Sequence, residues 1–213
     1  MMMRTLALLS ATLLAGPLPA AAQDTPGDFE YYVLSLSWSP SWCAAEDDGT
    51  ADQCRPGVRR GFVVHGLWPQ YEQGWPSDCR TEARDPTRGD SAEMADLMGS
   101  GGLAWYQWKK HGRCSGLSGR DYYSLMREAV SRVAIPPAYA RLPRDLNVPP
   151  GAIEAAFLAV NPDMTREGVT ITCDAGAVEE VRICLTRDLR PRDCAPDARR
   201  DCGARVLRMP QVE

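Results

Sequence analysis

Phe62-Val63-Val64-His65-Gly66-Leu67-Trp68-Pro69-Gln70 is the stretch from which the rest of the chain is best read. Two adjacent valines after a phenylalanine favour an extended strand, predicted over Gly61–Val64 and running straight into His65. Glycine follows, and Trp68-Pro69 reads as a turn. The pattern describes an imidazole delivered to a surface by a rigid element. A second segment answers it: Trp105-Tyr106-Gln107-Trp108-Lys109-Lys110-His111-Gly112-Arg113-Cys114. Leu103–His111 has no proline and no glycine and is stopped by Gly112, as a short helix would be. On such a helix Gln107 pairs with His111, and Tyr106 with Lys110, at i,i+4 spacing. One face would therefore carry a phenol, an amide, an ammonium and an imidazole.

The chain has 213 residues, and its only 2 histidines fall in these two segments. Both lysines, Lys109 and Lys110, abut His111, whereas the 22 arginines are spread along the chain. A lone histidine is usually structural or solvated, and lysines at a helix end commonly serve solubility or the macrodipole; their concentration here weakens both explanations. Two imidazoles and a cation suit RNA cleavage, in which a 2′-hydroxyl proton is taken, a proton is given to the departing 5′-oxygen, and negative charge builds on phosphorus. Histidine can do either transfer near neutral pH, a fixed cation stabilises the transition state, and the chemistry calls for no metal or cofactor.

Outward from these segments, composition sets limits. With 44% hydrophobic and 24% charged residues the chain is neither collagen-like, coiled-coil nor disordered. A formal charge of −4 excludes a generally basic surface, so a polyanion would be held by a local patch, with a modest salt dependence. Met1–Arg4, the apolar run Leu6–Ala15 and Ala20-Ala21-Ala22 read as a secretory signal over residues 1–22, too short to anchor in a membrane. Residues 23–213 are then expected to form a single catalytic domain, secreted or periplasmic. The eight cysteines are an even number in a compartment that permits disulfides. They contain no C-x-x-C pair, and two histidines cannot complete the usual zinc patterns. Sequence alone leaves 105 pairings open. A Cys–His hydrolase is a weaker alternative.

Phe29–Trp38 is predicted as a strand, with others over Val169–Thr172, Val178–Thr186 and Ala204–Leu207. Helices are predicted near Ala92–Met98 and over Asp121–Val133 and Gly151–Val160. Ile135–Pro150, with five prolines, is predicted to be a loop. Arg88-Gly89-Asp90 reads as loop chemistry. Without strict βαβ alternation, the fold class is α+β, with a central, largely antiparallel sheet flanked by helices and stabilised by disulfides.

At FVVHGLWPQ and YQWKKHGRC the chain resembles the ribonuclease T2 family, whose two catalytic blocks centre on His-Gly-Leu-Trp-Pro and on His-Glu-Trp-x-Lys-His-Gly-Thr-Cys. The likeness extends through Leu36-Ser37-Trp38-Ser39-Pro40 to the cysteine-rich end. It implies a monomeric endoribonuclease of low base specificity acting on single-stranded RNA, giving 2′,3′-cyclic phosphates and then 3′-phosphates. His111 would take the 2′-hydroxyl proton, His65 would protonate the leaving oxygen and Lys110 would stabilise the transition state, with Gln107 in the catalytic set. Trp68, Tyr106, Trp38 and Gln70 would bind substrate. The implied disulfides are Cys79–Cys114, Cys173–Cys202 and Cys184–Cys194, leaving Cys43–Cys54. The sequence departs from the family pattern where its first histidine of block two is Tyr106 and its glutamate Gln107. That motivates a second reading, a catalytically weakened or silent relative serving as an RNA-binding or interaction module. For an active enzyme it implies altered pH dependence, because His111 lacks the carboxylate that would favour its protonated form.

Overall fold

The computed structural model describes residues 24–46 and 49–212. The expected leader, residues 1–22, lies outside the described residues. In chain order the elements are β1 (Tyr31–Trp38), α1 (Ser39–Glu46), β2 (Phe62–Gln70), α2 (Arg88–Glu93), α3 (Ala95–Met98), α4 (Gly101–Lys110), α5 (Gly119–Ser131), α6 (Pro137–Ala140), β3 (Leu146–Val148), α7 (Pro150–Val160), β4 (Val169–Asp174), β5 (Ala177–Thr186) and β6 (Leu207–Met209). The six strands form one sheet in the order β2-β1-β5-β6-β3, with β4 also on β5. Every pairing is antiparallel except β5 with β6. The class is α+β, as the mixed pattern predicts.

Alternation along β1 divides the sheet into two faces. Tyr32, Leu34, Leu36 and Trp38 point into the main core, where α5 and α7 deliver Tyr122, Met126, Ile153 and Phe157. The odd-numbered Tyr31 and Val33 face the other way, beside Cys184 and Trp68. Trp38, expected in the substrate cleft, is instead fully buried, donates its Nε1–H to Pro210 O at 3.0 Å and packs edge-on against Phe62. It shares a strand face with three core residues, and that alternation decides its role.

Four element predictions change. The expected Trp-Pro turn is strand: β2 runs on to Gln70 and pairs Pro69 with Tyr32. Proline is tolerated because β2 is an edge strand, whose outward N–H positions need no partner. Ile135–Pro150 is not all loop. Pro137 opens α6, where a fixed φ suits the first turn, and β3 pairs with β6 over Leu146–Val148. The last strand, β6, begins at Leu207, displaced from the expected Ala204–Leu207. Arg88-Gly89-Asp90 is not a loop but the start of α2, where Asp90 and Thr87 form a reciprocal capping box.

Disulfides join Cys43–Cys54, Cys79–Cys114, Cys173–Cys202 and Cys184–Cys194. The second ties the segment just beyond α4 to the loop that carries Trp75. No helix among the described residues is long and apolar enough to cross a membrane.

Candidate active site

The site begins with a break in the β1–β2 ladder. Ser35 pairs with Gly66 and Leu36 with Val64, so His65 is an extra residue in a β-bulge. Bulges turn a side chain out of the regular alternation, and here Val64 and Leu67 both stay buried while His65 is half-exposed between them. Gly66 is required by packing. A Cβ there would lie 2.2 Å from Trp68 Nε1 and 2.6 Å from Gln107 Oε1. Those two atoms meet in a 2.7 Å hydrogen bond, the indole N–H donating to the amide oxygen.

Helix α4 brings the second segment to the same place. Ser100 caps its first turn by accepting from the Gly102 and Leu103 amides, and Trp108 anchors it in the core with its Nε1–H on Asp85 Oδ1 at 2.7 Å. Just beyond the helix, whose C-cap is His111, Gly112 is required by packing: a Cβ would sit 2.5 Å from Trp108 Cε3, so close approach, not a left-handed turn, demands glycine there. The helix thereby presents Tyr106, Gln107, Lys110 and His111 to one cleft of about 410 Å³, shared with His65, Trp68 and Gln70. Tyr106 is exposed, and Lys110 Nζ lies 3.4 Å from its hydroxyl. Gln70 is nearly buried at the cleft wall, with its Nε2–H on Pro69 O.

Trp68 packs against both imidazoles. Its ring centroid is 5.3 Å from that of His65, edge-on, and 5.3 Å from that of His111 at a 34° tilt. The imidazoles therefore cannot be further apart than twice that distance. They differ in surroundings. His111 is only 8% exposed, and its Nδ1 has no hydrogen-bond partner among the described residues. Burial, then the charges of Lys110 and His65, push its pKa down to about 4, so it is neutral at pH 7. His65 Nδ1 instead meets the Oε1 of Glu180, a buried carboxylate on β5. Desolvation alone would raise the pKa of Glu180, but the hydrogen bond and charge of His65, with the charge of Arg182, outweigh it and hold the group at about 2.

All the expected site residues except Trp38 line this cleft. Gln107 is nearly buried and spends its oxygen on Trp68, so it positions the indole and does not hydrogen-bond the His111 ring. Glu180, which lies behind His65, and the cleft residues Arg182, Trp75 and Asp197 escaped the reading of the sequence. The available signal for the first two is in β5, where Glu180, Arg182 and Cys184 share one strand face while Val181, Ile183 and Leu185 occupy the core face.

The sequence model of the Ribonuclease T2 family matches residues 29–194. A ribonuclease of Aeromonas hydrophila is 43% identical over 125 residues, covering 58% of this chain and 56% of that protein. The chain spans about half the length of the curated relatives it matches. Among solved structures, an RNase-related protein from Calystegia sepium is similar with a TM-score of 0.70 at 22% identity, over 87% of this chain and 98% of the other. RNase NT, solved in complex with 5′-AMP, has a TM-score of 0.64 at 21% identity, over 86% and 99%.

Proposed function

Because the chain belongs to the ribonuclease T2 family, we propose that it is a metal-independent endoribonuclease that cleaves single-stranded RNA by transphosphorylation. The observation that carries this reading is the pair of imidazoles packed against Trp68 in one cleft, which Lys110 also lines. Neutral at pH 7, His111 can accept a proton, and it takes that of the ribose 2′-hydroxyl. The freed oxygen attacks phosphorus. The Lys110 ammonium faces the charge that grows on the phosphoryl oxygens, where a preoriented cation is most effective. His65 gives a proton to the departing 5′-oxygen, and the product is a 2′,3′-cyclic phosphate. In the second, slower stage the roles exchange: His65 activates water and His111 protonates the 2′-oxygen, leaving a 3′-phosphate.

Tyr106 and Trp75 are exposed aromatic surfaces at the cleft, suited to base stacking that tolerates any sequence. A nucleotide complex is known for the similar RNase NT. Four disulfides among the described residues suit an oxidising compartment, in keeping with a secreted or periplasmic protein.

End-group analysis of RNA digested in the presence of a chelator tests the reading. Cyclic phosphates that give way to 3′-phosphates are expected, with no cutting of a substrate made of 2′-deoxyribose. Efficient cleavage of the deoxy substrate would refute it.

A further inference from the structure

We propose that Glu180 is a positioning residue of the reaction: locked by Arg182, it holds His65 with a proton on Nδ1 and Nε2 turned to the cleft, supplying from β5 the carboxylate that the second block lacks at Gln107. The inference rests on the reading of His65 as the acid that protonates the leaving oxygen.

Glu180 is 2% exposed and lies opposite Ser37 in the β1–β5 ladder. Its Oε2 accepts from Arg182 Nε at 2.8 Å and Nη2 at 2.7 Å. Its Oε1 faces His65 Nδ1, with the Ser37 hydroxyl at 3.4 Å. Arg182 also lies over Trp68, its guanidinium carbon 5.2 Å from the ring centroid. A carboxylate this buried is tolerated only when paired and hydrogen-bonded, and the fork of Arg182 occupies one oxygen. The other is left for the imidazole.

An ionised carboxylate can only accept, so the nitrogen facing it carries the hydrogen. The consequence for chemistry is direct. As the P–O5′ bond breaks, its electron pair goes to oxygen, the Nε2–H bond breaks and O5′–H forms. His65 is left as a neutral imidazole with hydrogen on Nδ1. Were Nδ1 an acceptor, the neutral ring could give up its Nε2 hydrogen only by becoming an imidazolate.

Glu180→Gln inverts this arrangement. Both donors of Arg182 point to the Oε2 position, so the amide oxygen settles there. The NH₂ then faces His65 Nδ1 and forces the hydrogen onto Nε2. A wrong tautomer of this kind costs on the order of 10⁴-fold in a serine protease.

The test uses the full chain and two substrates: an RNA dinucleotide, whose alkoxide leaving group needs an acid, and uridine 3′-(4-nitrophenyl phosphate), whose phenolate does not. For Glu180→Gln we expect kcat on the dinucleotide to fall roughly 10²–10⁴-fold with KM little changed, and a loss below about 10-fold on the aryl ester. Nitrogen NMR should show the His65 hydrogen on Nδ1 in the wild type and on Nε2 in the variant. Glu180→Asp keeps a carboxylate and should retain the Nδ1 hydrogen and part of the activity. Equal losses on both substrates, or a wild-type His65 with its hydrogen on Nε2, would overturn the inference. A wild-type chain that cuts neither substrate would overturn the ribonuclease reading instead, and the wild-type tautomer would still decide the placement of Glu180.

Discussion

Replacing Gly66 with alanine should damage catalysis through a single methyl group. The new Cβ would stand 2.2 Å from Trp68 Nε1, 2.9 Å from its Cδ1 and 2.6 Å from Gln107 Oε1, where ordinary contacts begin near ~3.5 Å. The indole must therefore retreat by roughly 1 Å or more. It cannot do so alone, because His65 and His111 both pack against it. Two costs follow. Gln107 Oε1 is buried and loses its donor, at about 1–3 kcal/mol, and overpacking adds about 1–3 kcal/mol. A displacement of ~1 Å at reacting groups typically lowers the rate by about 10²-fold. Urea denaturation and kcat/KM on an RNA dinucleotide measure the two effects. Gly203→Ala is the control, because a Cβ there meets nothing within 4 Å. A Gly66→Ala protein with wild-type stability and kcat/KM would refute the packing argument.

The acid limb of kcat/KM should fall near pH 4 and not near the ordinary histidine value, because His111 must be neutral to act as base and its pKa lies at about 4. Stability should follow the same group: between pH 6.5 and about 4 the unfolded chain binds a proton that folded His111 refuses, so acidification through this window should cost on the order of 3 kcal/mol. Glu180 acts in the same direction lower down, its contribution present above pH 4.5 and lost as pH falls toward about 2. Urea unfolding at pH 7, 5 and 4 checks this, and equal stabilities would contradict it. Gln107→Glu should keep the Trp68 hydrogen bond and place a negative charge one helical turn from His111. The acid limb should then rise by roughly 1 unit or more, and an unmoved pH profile would refute the coupling.

Local periodicity carried most of the site. Tyr106, Lys110 and His111 reach one cleft because i,i+4 spacing puts them on one side of a short helix, and His65 was legible as a strand-borne imidazole. Long-range pairing was not legible. Glu180 is 115 residues from His65 in sequence, and only the β1–β5 register brings them together. The bulge that turns His65 outward is likewise a property of two strands, not of one. Trp38 belongs to the core and not to the cleft, because the alternation of Tyr32, Leu34 and Leu36 carries it to that face. Prolines hid α6 and β3, since the pairing of Leu146–Val148 with β6 overrides local preference. Gly112 follows the end of α4 as expected, but what demands glycine there is the close approach of Trp108 and Tyr122, which no local rule identifies.

The most direct measurement compares single-turnover cleavage of an RNA dinucleotide by the wild type, His65→Ala and His111→Ala, each folded and in chelator. Each histidine variant should be slower by roughly 10²-fold or more, the size of one general acid or base contribution. Cleavage at the wild-type rate by either variant would contradict the assignment of the chemistry to the two imidazoles beside Trp68.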